Sequence, residues 1–290
     1  MTTGYASAGA YRQAIEVRLR AEAERSGRDL NWLRRRHACL RMLHRLVAAD
    51  QDLWVLKGGL AVELRHPGLG RPTKSIDLAV RSAPAMDSDD PDAIGAPLRS
   101  ALETDVDGDL FLFTVDAPAR AAEDAYGRPS WRFRVTVTLA GRRFAEARVD
   151  VIVRPEELGG LTPVELAPGT AAPPAGPRRI VWTTDLRQQF AEKFHALTRS
   201  YATGRSGPVT DLLDLVLLLE DGVGLDAELV GAARRVFAAR GTHPLPSQLG
   251  DPPLSWRIPY AAIAEEVGVH PIELSAANRL VADAWRSARG

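Results

Sequence analysis

The sequence is poor in cysteine, in long apolar segments and in lysine. Its single cysteine, Cys39, excludes an internal disulfide and a cysteine-based zinc cluster. No apolar run approaches the ~20 residues that a membrane helix needs, and no apolar core behind positive charge marks a signal peptide at the N-terminus. We therefore expect a cytoplasmic protein that has no membrane partner.

An excess of charge of either sign is also absent. The 290 residues carry 37 Lys and Arg against 37 Asp and Glu, so the net charge at pH 7 is zero. This balance excludes a globally basic nucleic-acid coat protein but leaves room for a local basic face. Hydrophobic residues make up 45% and charged residues 26%, which is typical of a folded protein with one large domain or two ordinary ones.

The lysines are few and unevenly placed. The chain has only Lys57, Lys74 and Lys193, and the other 34 of its 37 basic residues are arginine. Two of the three flank a Gly-Gly pair and an acidic strand. Because the chain otherwise uses arginine, the lysines that it has at these positions are candidates for a function.

Apolar periodicity predicts the order of the elements. Two helices are predicted over residues 10–25 and 30–49. After them we predict a strand Trp54–Lys57, a turn at Gly58 and Gly59, a helix from Leu60, a strand Ser75–Val80 and a helix from Pro91. Two further segments, Trp131–Leu139 and Arg142–Val153, alternate apolar and polar residues and are predicted to form a hairpin across Ala140 and Gly141.

The second half of the chain has a different pattern. Residues 167–177 are rich in Pro, Gly and Ala without periodicity, which indicates a linker. Beyond Trp182 the pattern is helical, with the main helices expected over 185–201, 209–220, 226–240 and 271–288. We therefore expect an α+β protein in which residues 1–170 form an α/β domain with a mixed β-sheet and residues 178–290 form a helical domain.

Lys57, Gly58 and Gly59 have the composition of a phosphate-binding turn. Glycines let the backbone approach a ligand closely, and the first N–H groups of the following helix point outward unpaired. Lys57 adds a compact positive charge beside them. The same Gly-Gly pair also makes ordinary turns, so the residues alone leave both interpretations open.

Asp77 and Asp150 each lie in an otherwise apolar strand. A carboxylate in such a strand is costly to bury unless it is paired, hydrogen-bonded or bound to a metal. Magnesium prefers oxygen ligands and often takes one or two carboxylates together with substrate phosphates. The two residues are therefore candidate magnesium ligands, and the alternative is a strand-end carboxylate that faces water.

These residues resemble the motifs of the AbiEii/MenT family of toxins, which has the nucleotidyltransferase fold of the DNA polymerase β type. That family has a Lys-Gly-Gly turn, then Arg-x-[Ser/Thr]-x-Asp-x-Asp, a third acid on a later strand, a helical lysine and an Asp-x-x-Asp-Leu helix. The matching positions are Lys57-Gly58-Gly59, Arg71 to Asp77, Asp150, Lys193 and Asp211 to Leu215. The resemblance covers about residues 30–220.

The resemblance implies a Mg²⁺-dependent nucleotidyltransferase toxin. It would transfer NMP from an NTP to the 3′ end of tRNA and so block translation, and a cognate antitoxin protein is expected. Asp77 and Asp150 would hold the metal, Lys57, Gly58 and Gly59 the leaving phosphates, and Lys193 the developing charge. Asp211 would orient Lys193 or a substrate hydroxyl. The helical second half would complete the active-site cleft.

Ser75 departs from the family pattern, since it stands where the first Asp of Asp-x-Asp is expected. Residues two apart share one face of a strand, so one carboxylate of a pair is missing. Three interpretations stay open. Asp77 and Asp150 with the triphosphate hold one Mg²⁺; or the chain is an inactive relative; or Ser75 is a control point, where phosphorylation would add roughly −2 charge. Ser75 is accordingly a candidate catalytic and nucleotide-binding residue.

A basic stripe is predicted on the second helix. Arg34, Arg41 and Arg45 are spaced so that they share one side, and such a stripe would follow an RNA backbone. The alternative is a solvated helix face. For the protein as a whole, two other functions remain open beside the toxin: a catalytically impaired relative that binds nucleotide or RNA, and an enzyme that nucleotidylates protein.

Overall fold

The computed structural model describes residues 5–66, 75–81, 89–123, 128–166, 177–203 and 209–290. Two long helices open the chain, α1 (Ala8–Ser26) and α2 (Leu30–Ala49). The side chain of Ser7 accepts a hydrogen bond from the Ala10 N–H at the start of α1, and Asp29 does the same for Trp32 at the start of α2. Polar caps on both helices therefore satisfy backbone donors that would otherwise be unpaired.

The middle of the chain supplies the eight strands found among the described residues. Its elements are β1 (Trp54–Lys57), α3 (Gly58–Arg65), β2 (Ser75–Val80), α4 (Pro91–Glu103), β3 (Phe111–Val115), β4 (Ala119–Glu123), β5 (Pro129–Leu139), β6 (Arg142–Ile152), β7 (Leu161–Leu166) and β8 (Arg179–Thr184). The helices that follow are α5 (Leu186–Thr203), α6 (Val209–Glu220), α7 (Ala227–Arg240), α8 (Arg257–Val267) and α9 (Leu274–Ala288).

The eight strands form one mixed sheet in the order β3-β5-β6-β2-β1-β8-β7, with β4 also pairing β5. The pairs β2·β6 and β1·β8 are parallel, and the other pairs are antiparallel. The predicted α+β class with a mixed sheet and a helical second half is confirmed.

The two faces of the sheet have different surroundings. Alternate residues such as Leu56, Leu78 and Val149 point into the main core, which they share with apolar residues of α1, α2 and α4. The intervening residues point to the opposite face, where Val55 and Ala79 form a small cluster with Leu158. Charged residues of the central strands lie on this second face, as the period of two requires.

The β5–β6 hairpin contains a bulge that sets its register. The turn is at Ala140 and Gly141, both with positive φ, as a two-residue hairpin turn requires. Thr138 pairs with Arg143, but Val137 pairs with Ala145, so Phe144 is an extra residue on β6. From the bulge onward every pairing is shifted by one residue. The predicted hairpin is confirmed, and the bulge is a feature that its sequence pattern does not indicate.

Several elements differ from the sequence-based prediction. Strands β4, β7 and β8 and helix α8 were not predicted, and α3 begins at Gly58 instead of Leu60. Strand β8 lies after residue 178 and still joins the sheet beside β1. The two-domain boundary itself stays a prediction, because the linker residues 167–176 lie outside the described residues, as do Arg71 and Lys74.

The C-terminal helices enclose a second apolar core. It includes Phe190 and Phe194 of α5, the leucines of α6 and Trp285 of α9. Val62 of α3 belongs to this core, so α3 joins the sheet to the helical region. Among the described residues, none of the helices combines the length and apolarity that crossing a membrane would take.

Candidate active site

Four charged residues form one row across the middle of the sheet. Lys57 of β1 is the Cα partner of Asp77 on β2, Asp77 is the partner of Asp150 on β6, and Asp150 is the partner of Arg132 on β5. Paired residues in neighbouring strands project to the same face of a sheet. The order of charges along this central row is therefore cation, carboxylate, carboxylate and cation, on the face turned away from the main core.

Gly58 fits tightly against Asp77. It has a φ of 68°, and a Cβ added to it would lie 1.9 Å from Oδ2 of Asp77. Only glycine can therefore occupy this position while the carboxylate keeps its place. The Gly-Gly pair forms the first turn of α3, where the positive end of the helix dipole stabilises a nearby negative charge. Lys57 precedes this helix and makes no side-chain cap, so first-turn N–H groups face the site.

Arg132 holds Asp150 by a bidentate ion pair. Its Nε and Nη2 donate to the two carboxylate oxygens at 2.7 and 2.8 Å. The hydrogen bond to Asp150, with the negative charges of Asp150 and Asp77, raises the pKa of Arg132 above its ordinary value. Arg132 was not identified from the sequence. Counting back along the hairpin from a plain two-residue turn pairs it with Val149, and only the bulge at Phe144 places it opposite Asp150.

Lys57 is buried and paired with a residue of the helical region. Its Nζ lies 2.7 Å from Oε1 of Glu192 on α5. Burial acts to raise the pKa of the Glu192 carboxyl, but the charges of Lys57 and Arg240 and hydrogen bonds from Lys57 and Gln188 together hold it below its ordinary value. Glu192 thus remains ionised and links the central row to α5. It too was missed from the sequence, where only its neighbour Lys193 was considered.

Lys193 lies between two carboxylates of α6. Its Nζ is 3.0 Å from Oδ1 of Asp211 and 2.7 Å from Oδ2 of Asp214. Asp214 is fully buried and Asp211 is 6% exposed. Lys193 thus pairs with both acids of the Asp-x-x-Asp-Leu motif. Since Glu192 and Lys193 are adjacent on α5, this one helix connects the central row to the cluster of Lys193, Asp211 and Asp214.

Ser75 lies on the same face as Asp77 and is half-buried. Its Oγ donates a long hydrogen bond of 3.4 Å to Oδ1 of Asp77. A hydroxyl at this position leaves the site with two carboxylates where the family pattern has three. In the described part of the chain, no group of three or more His, Cys, Asp and Glu side chains could hold a metal ion.

Asp77 and Asp150 nevertheless provide the donors that magnesium takes when phosphate oxygens complete its coordination. They offer hard carboxylate oxygens from adjacent strands, in register and half-buried. Magnesium usually keeps one or two protein carboxylates together with substrate phosphates and water. The pair therefore fits a single ion bound jointly with a triphosphate, and Arg132 neutralises part of the charge on Asp150.

The interpretation of Arg34, Arg41 and Arg45 as an RNA-binding stripe is wrong for two of its three residues. Arg41 and Arg45 are both 2% exposed, and both pair with the carboxylate of the buried Asp109. The acidic segment before β3 folds back onto α2 and neutralises these cations in the interior. Arg34 stays nearer the surface, where it pairs with Glu16 at 2.6 Å.

Comparison with known proteins identifies the family of the chain. The model of the family described as nucleotidyl transferase AbiEii toxin, type IV toxin–antitoxin system, matches residues 41–287. No curated protein matches the chain. Among solved structures, MenT4, a nucleotidyltransferase toxin from Mycobacterium tuberculosis, is 18% identical, with a TM-score of 0.51 over 93% of this chain and 89% of its own.

Two other solved structures are more distant. An antigenic nucleotidyltransferase-like protein from Paracoccidioides brasiliensis is 16% identical, with a TM-score of 0.43 over 69% of this chain and 87% of its own. A nucleotidyltransferase-like protein from H. pylori is 11% identical, with a TM-score of 0.38 over 86% of this chain and 95% of its own. At these identities the likeness to MenT4 supports the fold, and the family match carries the assignment.

Proposed function

The chain belongs to the AbiEii family of nucleotidyltransferase toxins, and from this membership we propose that it transfers NMP from an NTP to the 3′ end of tRNA. This transfer would block translation in the cytoplasm, with a cognate antitoxin protein as the partner that controls it. The observation that carries the proposal is the central row, in which Asp77 and Asp150 lie in register beside the N-terminus of α3.

The row supports the binding of a metal-bound triphosphate. Asp77 and Asp150 would hold Mg²⁺, which would neutralise part of the charge on the phosphates of the bound NTP. The first turn of α3, with Gly58 and Gly59, offers backbone N–H groups to the leaving phosphates. Lys57 contributes positive charge next to that turn, fixed in place by its ion pair with Glu192.

The reaction is a phosphoryl transfer that the residues promote by position and charge. The 3′ oxygen of the tRNA forms a bond to the α-phosphorus while the bond to pyrophosphate breaks, and the hydroxyl proton leaves toward the carboxylates of the row. Lys193, held by Asp211 and Asp214, stabilises the negative charge that develops on the phosphates. Asp211 keeps the Lys193 ammonium group oriented.

Ser75 is the control point of this site. Its hydroxyl lies beside Asp77, so a phosphate group on Ser75 would place roughly −2 charge where the triphosphate binds. The serine itself is compatible with activity, because two carboxylates and the triphosphate suffice for one ion. The phosphorylated chain is therefore inactive and the unmodified chain active.

Labelled NTPs and total tRNA test the proposal. We expect the wild-type chain to label tRNA from at least one of the four NTPs, in a Mg²⁺-dependent manner. Asp77→Ala lowers the rate by about a hundredfold or more, since it removes a metal ligand. Ser75→Ala is the matched control on the same strand face and keeps transfer, whereas the Ser75-phosphorylated chain, verified by mass spectrometry, transfers nothing.

The alternatives predict different labelling. Label on protein and not on tRNA would identify a protein-nucleotidylating enzyme. Binding of NTP or tRNA without incorporation, under all four NTPs and with both Mg²⁺ and Mn²⁺, would identify a catalytically impaired relative. Full activity of Asp77→Ala would refute the assignment of the metal to the central row.

A further inference from the structure

We infer that an arginine-lined cavity beside the central row binds the phosphate backbone of the RNA acceptor, an inference that rests on the proposed function. The cavity has a volume of about 920 Å³ and lies between α1, α2 and β6. The charged residues that line it are Arg12, Arg34, Arg35, Arg143, Arg148 and Glu146. Five positive charges against one negative leave an excess of four, in a chain whose net charge is zero.

Three of these arginines have no carboxylate partner in the part of the chain that the structure describes. Arg148 makes neither a hydrogen bond nor an ion pair there. Arg35 donates from Nε to the backbone carbonyl of Glu146 at 3.2 Å. Arg12 donates to the backbone carbonyls of Leu139, Arg142 and Arg143. Their positive charges are therefore available to an anionic ligand.

The other two arginines are paired. Arg34 contacts Glu16, and Arg143 contacts Glu146. The cavity thus differs from the rest of α2, where Arg41 and Arg45 are neutralised by Asp109 in the interior. Positive charge without a matching carboxylate is concentrated where α2 approaches the edge of β6.

One residue of the cavity lining, Arg148, lies next to the central row. Arg148 is the Cα partner of Ser75 and lies two residues before Asp150, on the same face of β6. An RNA strand whose 3′ end lies at Asp77 and Asp150 would therefore extend past Arg148 into the cavity. Guanidinium groups suit this role because their planar donor pairs match the oxygens of phosphate.

The lining favours RNA over an acidic protein. Protein interfaces are centred on buried apolar or aromatic anchors. The largest apolar side chain of this lining, Phe144, is 6% exposed and belongs to the main core. The cavity offers charge and hydrogen-bond donors from two helices and a strand, which is the chemistry of backbone recognition.

Binding of labelled total tRNA, measured by fluorescence anisotropy over a series of KCl concentrations and without NTP, tests the inference. We expect the double variant Arg35→Ala, Arg148→Ala to bind tRNA about tenfold more weakly. The slope of its log affinity against log salt concentration should fall by the equivalent of about one to two phosphate contacts. Arg148→Lys alone keeps most of the affinity because it retains the charge. Arg286→Ala is the matched control, since it removes an arginine whose side chain is 76% exposed on the distant α9.

Thermal unfolding of each variant separates loss of binding from loss of structure. The inference is overturned if the double variant folds and binds tRNA with the affinity and salt dependence of wild type, even if NMP transfer is observed. It is also overturned if the double variant loses affinity for poly-L-glutamate but keeps its affinity for tRNA. If tRNA binds through the cavity and no NTP yields transfer, the proposed function fails while the binding surface stands.

Discussion

At Gly58 the site depends on the absence of a single side chain. The backbone has a positive φ of 68°, and the carboxylate of Asp77 occupies the space where a Cβ would be. Any other residue would push away the carboxylate that we assign to the metal. Gly58 therefore acts by letting Asp77 reach the first turn of α3, in addition to freeing the backbone for phosphate.

Gly58→Ala is expected to abolish NMP transfer in the tRNA labelling assay. Gly141→Ala is the matched control, because its φ of 69° is nearly the same but a Cβ there would meet no atom within 4 Å. Both variants share the left-handed strain of about 1–2 kcal/mol. Only Gly58→Ala moves Asp77. Equal loss of activity in the two variants would show that strain, and not the contact with Asp77, is responsible.

At the scale of single residues, those that belong to a motif could be predicted from the sequence, but the residues that pair with them could not. Asp77 and Asp150 could be singled out because a carboxylate in an apolar strand is unusual. Arg132 and Glu192 could not, since an arginine in an alternating strand and a glutamate on a helix are ordinary. Their importance depends on strand register and helix docking, which bring together residues far apart in the chain.

At the scale of elements, α2 shows how position in the fold decides the role of an arginine. The helix was predicted with correct bounds, Leu30–Ala49, yet the arginine stripe does not face solvent. Arg41 and Arg45 share the carboxylate of Asp109, which lies in the segment before β3. Periodicity locates a helix but does not reveal that an acidic segment distant in sequence will cover its polar side.

Arg45→Ala should lower the free energy of unfolding by about 3–5 kcal/mol, because it leaves the buried Asp109 without one of its cations. Urea denaturation measures this loss. Arg20→Ala, whose side chain is 60% exposed, is the control and should change stability little. Under conditions where the variant is folded, its affinity for tRNA should equal that of the wild type. A stable Arg45→Ala with weakened tRNA binding would return this residue to the RNA-binding surface.

The strands that escaped prediction are short or lie beside proline-rich sequence. Strand β7 contains Pro163, and β8 follows directly after the linker. They become strands because β8 pairs with β1 and β7 pairs with β8 at one side of the sheet. Such pairing is a long-range property, so local alternation gives little sign of it. The overall class could still be predicted, because the hairpin and the helical second half have strong periodic patterns.

At the scale of the whole molecule, two buried histidines make stability depend on pH. Burial lowers the pKa of His37 to about 3 and that of His195 to about 3, in each case helped by nearby arginines. The Nε2 of His37 lies buried without a hydrogen-bond partner in the described part of the chain. The folded protein therefore keeps both rings neutral, while the unfolded chain protonates them below about pH 6.5.

The unfolded state consequently binds more protons than the folded state between about pH 6.5 and about 3. Stability should fall as pH falls through this window, by about 1.4 kcal/mol per pH unit for each histidine, and be unaffected by these groups above it. Urea denaturation across the window measures the slope. His37→Leu should remove one histidine's share of that slope. An unchanged slope in the variant would show that His37 does not contribute.

The bulge at Phe144 limits how the length of this hairpin can change in evolution. The turn at Ala140 and Gly141 can be rebuilt from other residues that accept a positive φ. The number of residues between Arg132 and Asp150, however, can change only by an even number. Loss or gain of a single residue there would turn Asp150 toward the core or uncouple it from Arg132. We therefore expect viable length variants of this hairpin to differ by two residues, so that chain length constrains the site as strictly as residue identity does.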